Sequence, residues 1–247
     1  MKSLTTAALL TLGGLTAAQA QALPSAASLE AKFLQAIGGK DALAAYSSRT
    51  LYARIEIPSQ GITGPLVVWA KAPNKLATRT VIQGLGEVRS GFDGQTGWAL
   101  NPAMGPMLME GLGLDQLRQQ ADFHGTPHNP KWVDSATTVL EEPFEGKPAY
   151  KVKVRTKWGE EYFEYYDKAT GFLVGYNRKQ DTPMGALEAV TVMTQYKPFG
   201  KVMMPTVTIV KVMGIEQVVT ADSVTTTEIP DSVFALPPEI LALKKGN

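Results

Sequence analysis

The residues best suited to chemistry are a histidine pair, the only histidines in the chain: His124-Gly125-Thr126-Pro127-His128, with Asp122 and Asp134 close by. On a helix, positions i and i+4 share a face and can hold a metal between them. Gly125 and Pro127 interrupt this spacing, so the pair reads as surface-loop histidines, and no metal is expected. The carboxylate pairs Glu141-Glu142 and Glu160-Glu161 lie in β-prone runs. Successive strand residues point to opposite faces, so neither pair shares an acid/base site, and solvated edges are expected. Gly-x-Ser-x-Gly and a phosphate-cradling glycine loop are both absent; Gly84-Leu85-Gly86 is a turn signal only. With no cysteine, disulfides, thiolate metal sites, a Cys nucleophile and a lipidated N-terminal Cys are excluded. The expectation is a protein that is not an enzyme and has no catalytic residues and no cofactor.

Positioning without chemistry points to binding, and one stretch is unusual for it. Gly86 to Leu117 opens as a strand, turns at Asp93-Gly94 and resumes at Trp98-Ala99-Leu100. Met104, Met107, Leu108, Met109, Leu112, Leu114 and Leu117 then follow among Gly105, Pro106, Gly111 and Gly113. Met fills irregular space and is common at adaptable binding surfaces, so the stretch reads as a mobile apolar flap. The alternative is an ordinary loop and short helix capping a sheet.

The rest of the chain supplies the sheet. Ser28–Ile37 repeats apolar residues at helical spacing, with Ser28 as cap and Gly38-Gly39 as stop, and a short helix Asp41–Tyr46 follows. From Arg49 the period changes to two: Leu51, Ala53, Ile55 and Ile57 alternate with Tyr52, Arg54 and Glu56. Leu66–Trp69, Leu76–Ile82, Glu87–Phe92 and Trp98–Leu100 continue as short strands. Asp115–Ala121 makes one or two helical turns. Strands resume over Thr137–Glu142, Ala149–Thr156, Glu160–Asp167, Phe172–Arg178, Leu187–Tyr196, Met203–Val212 and Glu216–Thr226. Tight turns between them imply antiparallel neighbours, hence a large twisted sheet or open barrel. The tail from Ile229 to Pro237 is too proline-rich for an interior strand.

At 247 residues with no linker or composition break, one domain is expected over 21–247, and a net charge of +1 with no basic run argues against nucleic acid. Lys2, an apolar run Leu4–Ala18 and Ala18-Gln19-Ala20 read as a signal peptide ending at residue 20, with a second cleavage frame after residue 22. The mature protein is then exported and soluble in the periplasm or its equivalent, without a lipid anchor.

Several of these segments recur in one order: Ala36-Ile37-Gly38-Gly39, Lys71-Ala72-Pro73-Asn74-Lys75, Phe92-Asp93-Gly94-Gln95-Thr96-Gly97-Trp98, Asp167–Gly171, Phe199-Gly200 before Met204-Pro205, and Ile229–Pro237. In that order, over residues 28–237, the chain resembles the bacterial outer-membrane lipoprotein-sorting group, whose fold is that of LolA and LolB. The resemblance implies a mainly β (α+β) fold: a curved antiparallel sheet forming an open, incomplete β-barrel, with short helices covering the concave side. It further implies a carrier or chaperone for an acyl chain, a lipoprotein or another apolar ligand, with membrane-protein partners in the envelope. The alternatives are a lipid or protein sensor without transport, and a hydrolase whose site is invisible in sequence. The expected cavity and flap residues are Leu51, Ile55, Trp69, Trp98, Met104, Met107, Leu108, Met109, Leu112, Leu114 and Leu117, in a monomer.

Overall fold

The computed structural model describes residues 22–182 and 185–246; the expected leader and its first cleavage point lie outside the described residues. Two helices lead, α1 (Ala26–Ala36) and α2 (Gly39–Ala44). The Ser25 hydroxyl caps α1 by accepting from the Ser28 amide at 3.2 Å, so the helix begins before the Ser28 expected from sequence. Gly38 ends it with φ 118°, and a Cβ there would stand 2.3 Å from the Lys201 carbonyl oxygen. Only glycine allows that approach, which lets the Ile37 carbonyl accept from the Met203 amide at 3.0 Å.

Six strands form the first meander: β1 (Ser48–Ile57), β2 (Ile62–Lys71), β3 (Lys75–Ile82), β4 (Gly86–Phe92), β5 (Gly97–Asn101) and β6 (Gly105–Leu108). The helix α3 (Gly111–Ala121) crosses over. Seven strands form the second: β7 (Val133–Phe144), β8 (Lys147–Thr156), β9 (Glu161–Asp167), β10 (Leu173–Thr182), β11 (Gly185–Phe199), β12 (Val202–Val212) and β13 (Ile215–Thr225). A tail with a 3-10 turn, Asp231–Phe234, ends in α4 (Pro238–Gly246). Among the described residues all thirteen strands belong to one antiparallel sheet, ordered β6-β5-β4-β3-β2-β1-β13-β12-β11-β10-β9-β8-β7. β6 and β7 are its two edges, so the barrel is open.

The curvature follows from α3. β5 and β10 stand second and tenth in the order, eight ladder spacings, so a flat sheet would hold them ~38 Å apart. α3 has 11 residues and is ~16 Å long, yet it touches both strands. The sheet therefore bends around the helix, and the helix side is the inner face. Residues directly opposite in an antiparallel ladder share a face, which carries the assignment from strand to strand. Val152 and Val154 of β8 and Tyr162 and Tyr166 of β9 face inward against Ala26 and Leu29 of α1. Ala70, Leu76 and Phe92 face inward against Leu117 and Ala121 of α3. Between these two cores run the inner faces of β1, β13, β12 and β11.

Candidate functional site

The inner row of β1 begins at Arg49 and continues through Leu51, Ala53 and Ile55, as the period-two pattern predicts. Ile55 opposes Val219, and Val219 in turn opposes Thr208. Ala53 opposes Leu66, while Thr208 opposes Met193 and Thr191 opposes Val210. Leu51, Ile55, Leu66, Met193, Val210 and Val219 therefore share one wall, and each stays partly exposed. None of them belongs to the cores beneath α1 and α3.

On one side of this wall, at β9 and β10, the inner face carries charge. On β9, Glu164 is nearly sealed, with 4% of its side chain exposed, yet both its oxygens are satisfied. Tyr166 donates its hydroxyl to Oε2 at 2.7 Å, and Tyr162 donates to Oε1 at 3.1 Å. The His128 Nε2 N–H donates to Oε2 at 2.9 Å. Glu30 of α1 accepts from the His128 backbone amide at 2.9 Å and lies 3.6 Å from Nδ1, an ion-pair distance without a hydrogen bond. Desolvation pushes the imidazole pKa down, but the Glu164 hydrogen bond and the charges of Glu164 and Glu30 together raise it above its ordinary value. Burial first, then Glu164, drives the Tyr162 and Tyr166 hydroxyls well above the usual tyrosine range.

Glu160, just before β9, forms the second knot. Arg178 of β10 grips it with two bonds of 3.0 and 2.8 Å, Gln116 of α3 donates at 2.9 Å, and Trp158 donates at 3.1 Å. Gln116 also donates to the Lys179 carbonyl at 2.7 Å, so α3 is bolted to the second meander. Both oxygens of each buried carboxylate, Glu164 and Glu160, are occupied by fixed donors, which suits fastening rather than proton transfer. Among the described residues no three His, Asp or Glu side chains converge as metal ligands.

Two sequence expectations are corrected here. His128 is not a surface-loop residue: 7% of its side chain is exposed, because Glu164, distant in sequence, receives it beneath α1. His124 is exposed, with Nε2 2.8 Å from the Tyr46 carbonyl oxygen. Glu160 and Glu161 do split across the faces, but only Glu161 is solvated; Glu160 is buried under Arg178.

The expected cavity residues divide between the two faces. Leu51 and Ile55 line the inner wall. Met107 opposes Ala99, and Ala99 opposes Ser90 on the inner side of β4. Met109 and Leu114 pack partly into the core beneath α3, where Leu117 is buried, and Leu112 is half-buried on the helix. Met104 sits in the β5–β6 turn, 47% exposed. The segment expected as a flap is thus an edge strand and a packed helix. Trp69, Trp98 and Leu108 face outward: Trp69 opposes Ala77, Trp98 opposes Gly91 and Leu108 opposes Trp98. They cannot share a pocket with Leu51 and Ile55.

The outer face is apolar there because the tail covers it. Ile229, Val233 and Phe234 pack on Ala77 and Trp69. A cavity of about 420 Å³ remains between the tail at Ser232–Pro238 and Trp69, Trp98, Arg79 and Arg89. Glu87 sits between those two arginines, 2.5 Å from Arg79 Nε and 3.3 Å from Arg89 Nε.

No family sequence model matches the chain, and no curated protein matches it significantly in sequence. Solved structures do. A LolA superfamily protein from Nitrosomonas europaea superposes with a TM-score of 0.55 at 13% identity, covering 87% of this chain and 99% of that one. An outer membrane lipoprotein-sorting protein domain, described as putative, from Vibrio parahaemolyticus gives 0.53 at 10% identity, over 84% of this chain and 94% of that one. A DUF1329 family protein from Desulfovibrio piger gives 0.57 at 11% identity, over 85% and 96%. In fold, the chain is similar to the LolA superfamily and the lipoprotein-sorting domains: an open, strongly bent antiparallel sheet with helices on its inner side.

Proposed function

We propose that the chain is an exported, soluble carrier or chaperone, one domain following a cleaved leader, that holds an apolar ligand against the inner wall of the sheet. The ligand class is an acyl chain, free or borne by a lipid or lipoprotein, received from and passed to envelope partners. The observation that carries the reading is the row of partly exposed aliphatic side chains, Leu51, Ile55, Leu66, Met193, Val210 and Val219, flanked by two helix-covered cores. Natural cores bury such residues; a concave face that leaves them half open is suited to a guest. About a dozen methylenes at ~0.8 kcal/mol each would supply ~10 kcal/mol, enough to offset the loss of ligand freedom at useful concentrations. The clamps on β9 and β10 fit this role, because Glu164–His128–Glu30 and Glu160–Arg178–Gln116 fasten α1 and α3 there while the wall stays free.

Titration with a fluorescent long-chain fatty acid tests it, alongside mass spectrometry of organic extracts from protein purified from its native host. Wild type is expected to bind at micromolar concentration or tighter. Ile55→Asp and Val219→Asp are expected to abolish binding with little change in melting temperature. Absence of probe binding and of any co-purifying amphiphile would sink the reading. A bound lipid that never exchanges with vesicles would favour a sensor over a carrier.

A further inference from the structure

Arg49 differs from the other inner-face cations. It opens the β1 row that continues through Leu51, Ala53 and Ile55, and its register partner is Ala70, a member of the core beneath α3. Its guanidinium lies over the Phe123 ring, 5.8 Å from the centroid. The Phe123 amide donates to the Pro73 carbonyl at 3.0 Å, and His124 meets the Tyr46 carbonyl, so the loop seating that ring is held in place. Arg178 and His128 on the same face each own a buried carboxylate. Among the described residues Arg49 has none: no ion pair and no side-chain hydrogen bond reaches it, and the aromatic face is its one polar contact. Burial lowers its pKa from the ordinary arginine value, yet a guanidinium stays protonated at neutral pH. A half-buried cation without a counter-charge is costly unless something supplies one.

We infer that Arg49 anchors an oxyanion, a carboxylate or phosphate, on an amphiphile whose apolar part lies along Leu51, Ala53 and Ile55. This deepens the carrier reading and rests on it. The geometry suits such a ligand, since the cation and the aliphatic row are on one strand face. They extend ~20 Å from Arg49 to Ile55 at ~3.3 Å per residue. The planar fork of guanidinium N–H groups matches two oxygens of a carboxylate or phosphate. An anion there would be dehydrated on its Phe123 side and held by a charge that no group among the described residues neutralises.

The test compares a fluorescent long-chain fatty acid with its methyl ester in wild type, Arg49→Gln and Arg49→Lys, with inorganic phosphate as a separate arm. Wild type is expected to prefer the acid roughly ten-fold or more. Arg49→Gln should lose that preference while keeping its affinity for the ester, and Arg49→Lys should keep part of it and serve as the folded control. Phosphate that competes with the acid and protects wild type but not Arg49→Gln from thermal unfolding would assign the site to free oxyanions as well. No phosphate effect, with the acid preference intact, would assign it to the amphiphile's own head group. Equal affinity of wild type for acid and ester, or an unchanged ratio in Arg49→Gln, overturns the inference and leaves the carrier reading standing. Wild type that binds neither probe overturns both.

Discussion

Replacing Glu160 by Ala removes the carboxylate that receives two bonds from Arg178 and one each from Gln116 and Trp158. The exposures of the Glu160 and Arg178 side chains, 5% and 16%, place this pair with buried ion pairs rather than surface ones. Breaking such a pair from one side costs about 3–5 kcal/mol, because the surviving charge stays buried without a partner. For a chain of this size each kcal/mol lowers the melting temperature by roughly 2–4 °C, so Glu160→Ala should melt ~6–20 °C below wild type. The loss should be local in origin, since Gln116 keeps its second bond to the Lys179 carbonyl. Calorimetry at neutral pH measures it, with a double-mutant cycle through Arg178→Met and Glu160→Leu. The double variant should recover most of the loss, because an apolar pair of similar volume removes the unpaired charge. A Glu160→Ala cost below about 1 kcal/mol, or a double variant no better than the single one, would show that water screens the pair. The α3 bolt would then be a surface contact.

Three further outcomes follow from the same geometry. His128 has a raised pKa in the folded state, so its pairing with Glu164 is fully stabilising below its ordinary value near 6.5 and fades as pH rises through the folded value. Melting curves from pH 6 to 9 should show that decline in wild type and not in His128→Phe, and identical slopes would refute it. His128→Ala should cost about 2–4 kcal/mol by stranding Glu164, whereas His124→Ala should lie within ~0.5 kcal/mol of wild type by denaturant unfolding. A Cβ on Gly91 would stand 2.9 Å from the Trp98 ring and 3.0 Å from the Leu76 carbonyl oxygen, so Gly91→Val should lose about 1–3 kcal/mol by overpacking. Unchanged Trp fluorescence and unfolding midpoint would count against it.

Local pattern carried much of this fold. The alternation of Leu51, Ala53 and Ile55 with Tyr52, Arg54 and Glu56 placed each side chain on its observed face, and turn residues separated the strands where ladders end. What period two leaves open is which face is inside. Trp69 packs under the tail on the outer face and Trp98 borders the cavity beside it, so their hydrophobicity points equally to either side. Glycines at 111 and 113 weaken α3 as an isolated helix. Leu114, Leu117 and Ala121 form it by docking on Ala70, Leu76 and Phe92, a tertiary effect that composition reads as a flap. His128 and Glu160 became structural for the same reason, through partners distant in sequence. Arg49 left one trace, a cation opening an otherwise aliphatic row.

The strand order carries a kinetic consequence. Nearly every ladder joins neighbours in the chain, so β1 to β6 and β7 to β13 can each assemble hairpin by hairpin. The exception is β1 with β13, where Ile55 meets Val219 across most of the chain. Closing that span costs loop entropy before any contact repays it, and non-local pairing slows folding. We therefore expect two quickly formed meanders and a slow step that zips β1 to β13. Until that step is complete, the aliphatic row of β1 faces water beside an unpaired strand edge, and it is during this interval that the chain is most exposed to aggregation.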